Sequence, residues 1–164
     1  MGRAAITDSA GRWRRQKGRE PYHDLTCGLD YVYLLGGYYI WQTPHGESIS
    51  FEGGLARELG RYVARRRRNL RGQEVRYLRK EMELTQVELG RLLFLSYQQV
   101  ARWEKDICTI PGPADMLLRS LYLQHIGERV DIRTLSESIE ELPDEDPSTV
   151  SFRYRNGWYP VLGK

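Results

Sequence analysis

The chain has 164 residues, with 25 basic and 22 acidic side chains and a formal net charge of +3. That length holds one medium domain or two small ones, and 40% hydrophobic residues allow a packed core. No apolar run reaches the roughly 18–20 residues of a membrane span, the basic N-terminus has no apolar signal core, and Cys27 and Cys108 form no CxxC pair. A cytoplasmic protein with reduced thiols, no metal and no cofactor is expected.

Residues 1–19 are small, polar and basic, with Arg12, Arg14, Arg15, Lys17 and Arg19 around Trp13. They read as a flexible arm. In the next segment, 20–68, "YVYLLGGYYIWQT" carries two aromatic β-type runs on either side of Gly36-Gly37 and predicts a hairpin. "ESISF" alternates and predicts a third strand. Leu55, Leu59, Tyr62 and Val63 then follow helical spacing into the run Arg65, Arg66, Arg67, Arg68. This unit is a small β-meander plus helix.

A helical unit is expected over 69–130. Val75, Leu78 and Met82 share one face. Thr85, with Glu88 three residues on, makes a capping box for a helix holding Leu89, Leu92 and Leu93. Ser96 is an N-cap for another helix, with Val100 and Trp103 as its apolar stripe. Phe94-Leu95-Ser96 between them leaves room only for a tight turn, so the outline is helix-turn-helix. "IPGP" at 110–113 is a stiff connector. A further helix is expected to bury Leu118, Leu121 and Tyr122 with Leu117 beside them. Segment 131–164 has an Asp131-capped helix carrying Leu135, Ile139 and Leu142, six acids between Glu137 and Asp146, and a strand pair turning at Asn156-Gly157. The fold class is therefore α+β: N-terminal meander plus helix, helical helix-turn-helix bundle, C-terminal β-hairpin.

The stretch "LTQVELGRLLFLSYQQVARWEK", 84–105, resembles the phage-repressor-like (Xre-type) helix-turn-helix regulators in its "LTQ" opening, the small Gly90, and "SYQQVARWEK". The resemblance implies sequence-specific DNA binding as a homodimer. Gln86 would lie near a phosphate, and Tyr97, Gln98 and Arg102 would point into the major groove, with Ser96 and Gln99 beside them. The chemistry suits that role, since Gln pairs bidentately with adenine and Arg with guanine. The turn position usually held by glycine is Phe94 here, where positive φ is costly for a bulky side chain. Either the turn takes another geometry or the packing tolerates the strain.

Over residues 20 to 125 the chain also looks like antitoxins of the MqsA/HigA type, which implies a toxin partner for the N-terminal unit and autorepression of a toxin–antitoxin operon. The four-cysteine zinc site of MqsA is reduced here to Cys27, so no zinc is expected.

Arginine outnumbers lysine 21 to 4, which favours fixed bidentate contacts, and Arg65–Arg68 stand where a linker could follow a phosphate backbone. His23, His45 and His125 are scattered with no nucleophile or metal spacing, so no enzyme is expected. Two other functions compete. The aromatics Tyr22, Tyr31, Tyr33, Tyr38, Tyr39 and Trp41 could stack single-stranded bases, or could instead form a core against the helix at 55–63. A protein–protein adaptor with a degenerate helix-turn-helix is the other.

Overall fold

The computed structural model describes residues 14–19, 21–43, 45–66, 68–140 and 149–161. It is an α+β protein with strands at both ends of the chain and helices between them. Two compact units divide it, one of residues 1–25, 30–55 and 148–164, the other of 26–29 and 56–147.

The strand unit contains two sheets. Strands β1 (Arg14–Lys17), β4 (Tyr38–Thr43) and β5 (Gly46–Phe51) pair antiparallel in the order β1-β4-β5. Strands β2 (Tyr22–His23), β3 (Val32–Leu34), β6 (Val150–Tyr154) and β7 (Trp158–Val161) form the second sheet in chain order. At its centre β3 and β6 run parallel, with Val32 opposite Val150 and Leu34 opposite Phe152. All four side chains are buried, so this pair forms a core strip from segments at opposite ends of the sequence.

This arrangement corrects three sequence expectations. Gly36-Gly37 does not join a hairpin, because β3 and β4 belong to different sheets; both glycines have positive φ and redirect the chain from one sheet to the other. The basic arm ends before Arg14, since Arg14–Lys17 is a strand on β4, and the part before it lies outside the described residues. The C-terminal hairpin is not separate from the N-terminal strands but completes their sheet. Its turn is as expected, with Asn156 in the left-handed region at φ 61°.

The helices are α1 (Leu55–Ala64), α2 (Gly72–Glu81), α3 (Gln86–Leu92), α4 (Tyr97–Glu104), α5 (Gly112–His125) and α6 (Ile132–Glu140). From Ala56 onward α1 groups with these helices rather than with the strands, so the aromatic strands do not share a unit with it. Leu59, Val63, Val75, Leu78, Leu89, Val100, Trp103, Leu118, Tyr122 and Leu123 are buried at helical spacing. On α5 Leu118 and Tyr122 are buried as expected and Leu121 is half-buried, while Leu117 is exposed and Leu123 joins the core. That helix starts at Gly112, with Pro113 in its first turn, where a missing N–H costs nothing. The acids beyond Glu140 lie outside the described residues. Among the described residues no helix is long and apolar enough to cross a membrane.

Candidate nucleic-acid interface

The α3–turn–α4 segment is built from local signals. Thr85 Oγ1 accepts the Glu88 N–H at 3.1 Å while the Glu88 carboxylate accepts the Thr85 N–H at 2.7 Å, a reciprocal cap. The Thr85 N–H and hydroxyl, both donating to the Glu88 carboxylate, hold it below its ordinary range. Ser96 Oγ accepts the Gln99 N–H at 3.3 Å and starts α4. Each such cap stabilises its helix by about 1 kcal/mol. Gly90 lets the two helices close on each other, for a Cβ there would lie 2.8 Å from the Leu95 carbonyl oxygen, a backbone atom that cannot swing away.

The turn itself is a Schellman closure. The Phe94 N–H donates to the Arg91 carbonyl at 3.2 Å and the Leu95 N–H to the Gly90 carbonyl at 2.8 Å, with Phe94 at φ 57°. Of the two possibilities open from the sequence, the left-handed conformation is the one adopted, at a cost of roughly 1–2 kcal/mol for a side chain with a Cβ. Packing returns nothing for it, because Phe94 is 91% exposed. The same closure ends α2 at Glu83, φ 58°, α4 at Asp106, φ 54°, and α5 at Gly127, φ 82°, and of these the glycine alone avoids the cost.

The orientation of α3 and α4 is set by Glu104, whose side chain is buried. It accepts Arg79 Nε at 2.5 Å and Nη2 at 3.1 Å from α2, and Gln86 Nε2 at 2.9 Å from α3. Burial pushes the Glu104 carboxyl up, but the Arg79 and Gln86 bonds and the Arg79 and Arg76 charges outweigh it and hold it below the ordinary range. Gln86, expected near a phosphate, is thus an internal clamp.

On α4 the residues part into two sets. Val100 and Trp103 face the core. Gln99 is half-buried, its amide 3.4 Å from Cys108 Sγ. Tyr97, Gln98 and Arg102 are exposed, and among the described residues the Gln98 and Arg102 side chains have no hydrogen-bond or ion-pair partner. Gln98 and Arg102 are four residues apart on an eight-residue helix, one turn along the same face.

The arginine run is differently placed. Arg66 and Arg68 have side chains only 6% and 10% exposed, and both bind the buried Glu74, at 3.1 and 2.8 Å. Arg65 donates to Glu128 at 2.6 Å, beside Arg61 on the same carboxylate. Arg67 lies outside the described residues. Beneath the linker Arg119, fully buried, binds Asp115 and donates to the carbonyls of Ala64, Arg66 and Arg68. Arg66 and Arg68 are therefore buried on Glu74, whereas Arg65 keeps 52% of its side chain exposed beside its bond to Glu128. Arg119 carries no motif in the sequence; its one signal is Asp115 four residues before it between core positions.

Elsewhere the strand aromatics are engaged with one another. Tyr31 and Tyr38 are buried, Tyr22 packs on Tyr38 and Phe51 at 5.3 and 6.2 Å, and the Arg15 guanidinium lies 3.5 Å from the Tyr39 ring centre. Trp41 Nε1 donates to Ser50 and the Tyr39 hydroxyl to Glu52. Tyr33 stacks on His23, whose Nε2 is 2.8 Å from the Asp30 carbonyl.

No protein-family model matches the chain, and no curated protein or solved structure matches it.

Proposed function

We propose that the protein is a sequence-specific double-stranded DNA-binding regulator that reads the major groove with the outer face of α4. The observation that carries this reading is a contrast in how polar side chains are used. Arg66, Arg68, Arg79, Arg119 and Gln86 are tied down internally, whereas Gln98 and Arg102 stand exposed one turn apart at a capped helix. Two such side chains at this spacing are well suited to adenine and guanine edges. Tyr97 and Ser96, at the helix start, would sit at the groove margin, where the N-terminal residues of a recognition helix work.

A homodimer would place two α4 helices in successive major grooves, roughly 34 Å apart, on a palindromic site. Autorepression of a toxin operon, with the strand unit holding the toxin, is the finer proposal drawn from the antitoxin resemblance. Its test is co-purification of the chain with the product of the adjoining gene; recovery of the chain alone would remove it.

The DNA reading is tested by selecting duplexes from a randomised pool with the full chain, then comparing affinity for the enriched duplex and a scrambled one across salt concentrations. An enriched palindrome bound far more tightly than its scramble, with affinity falling steeply as salt rises, is expected. Equal affinity for both duplexes would remove the specific-binding function.

A further inference from the structure

The helix-turn-helix leaves an unusual amount of apolar surface in solvent. Of the ten large hydrophobic side chains exposed among the described residues, five fall between Val87 and Tyr97: Val87, Leu92, Phe94, Leu95 and Tyr97. Phe94 is the extreme case. It occupies a left-handed position, as Glu83 and Asp106 do in the equivalent closures after α2 and α4, but of these three it alone is a bulky apolar side chain, and its ring touches little of its own protein. The free protein thus carries both backbone strain and open aromatic surface at one residue, and a glycine there would remove both. A residue that burdens the free state in two ways is explained if a bound state uses it.

The surroundings indicate what covers it. Along the chain the apolar segment runs directly into Ser96, Tyr97 and Gln98, the end of α4 assigned above to DNA. Within Gln86–Lys105 the bases Arg91, Arg102 and Lys105 are exposed. The two acids of that stretch are occupied: Glu88 caps α3, and Glu104 is buried against Arg79. The stretch thus exposes three bases against one acid, Glu88, on either side of its apolar segment, which suits a polyanion that also presents methyl groups. In the major groove only thymine offers one.

We propose that Phe94 is a specificity-determining residue whose ring seats on a thymine methyl at the edge of each half-site, with Leu95 as its shoulder. This rests on the DNA reading and adds a contact that glycine at the same position could not make. It assigns the strained turn a role distinct from the hydrogen-bonding pair Gln98 and Arg102.

The test uses the full chain, its Phe94→Gly variant and the duplex enriched by the parent, in a form with thymines and in forms with single thymines replaced by deoxyuridine. Phe94→Gly is expected to unfold at the same or a higher temperature than the parent, because the turn is relieved. Its affinity for the duplex should fall on the order of tenfold, as loss of a partly buried ring implies. At one position per half-site, deoxyuridine should weaken the parent severalfold and leave the variant unaffected. Equal affinity of parent and variant overturns the proposal. So does a loss indifferent to the thymine methyl, which would place the ring elsewhere. A shift of the variant from dimer to monomer in sedimentation without DNA also overturns it and makes the patch a protein contact. If no duplex is enriched at all, the DNA reading itself falls. An unchanged binding site in both proteins refutes the Phe94 contact and leaves that reading standing.

Discussion

Two regions of the helical unit use the same chemistry to opposite ends. Around the α1–α2 linker, Arg66, Arg68 and Arg119 are buried against Glu74 and Asp115, and Arg119 gathers the carbonyls of Ala64, Arg66 and Arg68. On α4, Arg102 is exposed beside Gln98 with no partner among the described residues. The guanidinium suits both tasks, since its planar fork holds a carboxylate or a carbonyl cage as well as a guanine edge. An excess of arginine therefore identifies neither. What separates the regions is the placement of acids: Glu74 and Asp115 lie on buried helix faces and hold the arginines inward, while among the described residues no carboxylate pairs with Arg102 on the outer face of α4.

The comparison can be broken most forcefully at Arg119. Replacing it with Met should cost about 3–5 kcal/mol, because Asp115 and the linker carbonyls would be left buried without their donor. Chemical denaturation measures this, and a loss under about 1 kcal/mol, the value of an ordinary exposed pair, would mean that the cluster contributes little. Gly90→Ala comes next. Its Cβ must displace the Leu95 carbonyl oxygen from 2.8 Å, and overpacking of this kind costs typically 1–3 kcal/mol. Full retention of the parental midpoint would show that the two motif helices can separate freely. Ser96→Ala should cost about 1 kcal/mol through the lost cap, read from the same denaturation curves.

Acid sharpens the comparison without removing an arginine. Glu104 has its folded pKa held below the ordinary carboxylate range, so its contribution is fully present above that range and is lost as pH falls through the depressed value. The stability difference between the parent and Glu104→Gln should therefore be largest near neutrality and shrink on acidification. A difference constant down to strongly acid pH would contradict the assigned clamp of α2, α3 and α4.

The sequence made the helical half of this picture legible and the strand half only partly so. Thr85, Glu88 and Ser96 define the motif helices by short-range hydrogen bonding, and those bonds are formed as expected. Asn156-Gly157 is likewise a local turn signal. The parallel pairing of β3 with β6 could not be read, because Val32 and Val150 meet across more than a hundred residues with no local pattern to announce it. Gly36-Gly37 misled for a related reason: two glycines signal a change of direction but not which sheet the chain enters next. At the candidate site, the outward placement of Gln98 and Arg102 is what the resemblance of 84–105 to phage-repressor-like regulators implies, and both side chains are exposed. The burial of Arg66 and Arg68 has no such signal, since it depends on Glu74, whose polar character hides its core position. The place of Gln86 near a phosphate is implied by the resemblance alone, and its bond to Glu104 has no sequence signal because Glu104 is a charged residue facing inward.

The reading that stands or falls first is the proposed contact of the outer face of α4 with DNA. It is tested most directly by base preference across a randomised duplex library for Gln98→Ala and Arg102→Ala, with thermal stability measured on the same samples. Stability should stay within about 0.5 kcal/mol of the parent, as for exposed side chains without partners. Discrimination should relax at one position per half-site, a different one for each variant, by about 1–3 kcal/mol. Base preferences identical to the parent's in both variants, with folding intact, would contradict the account.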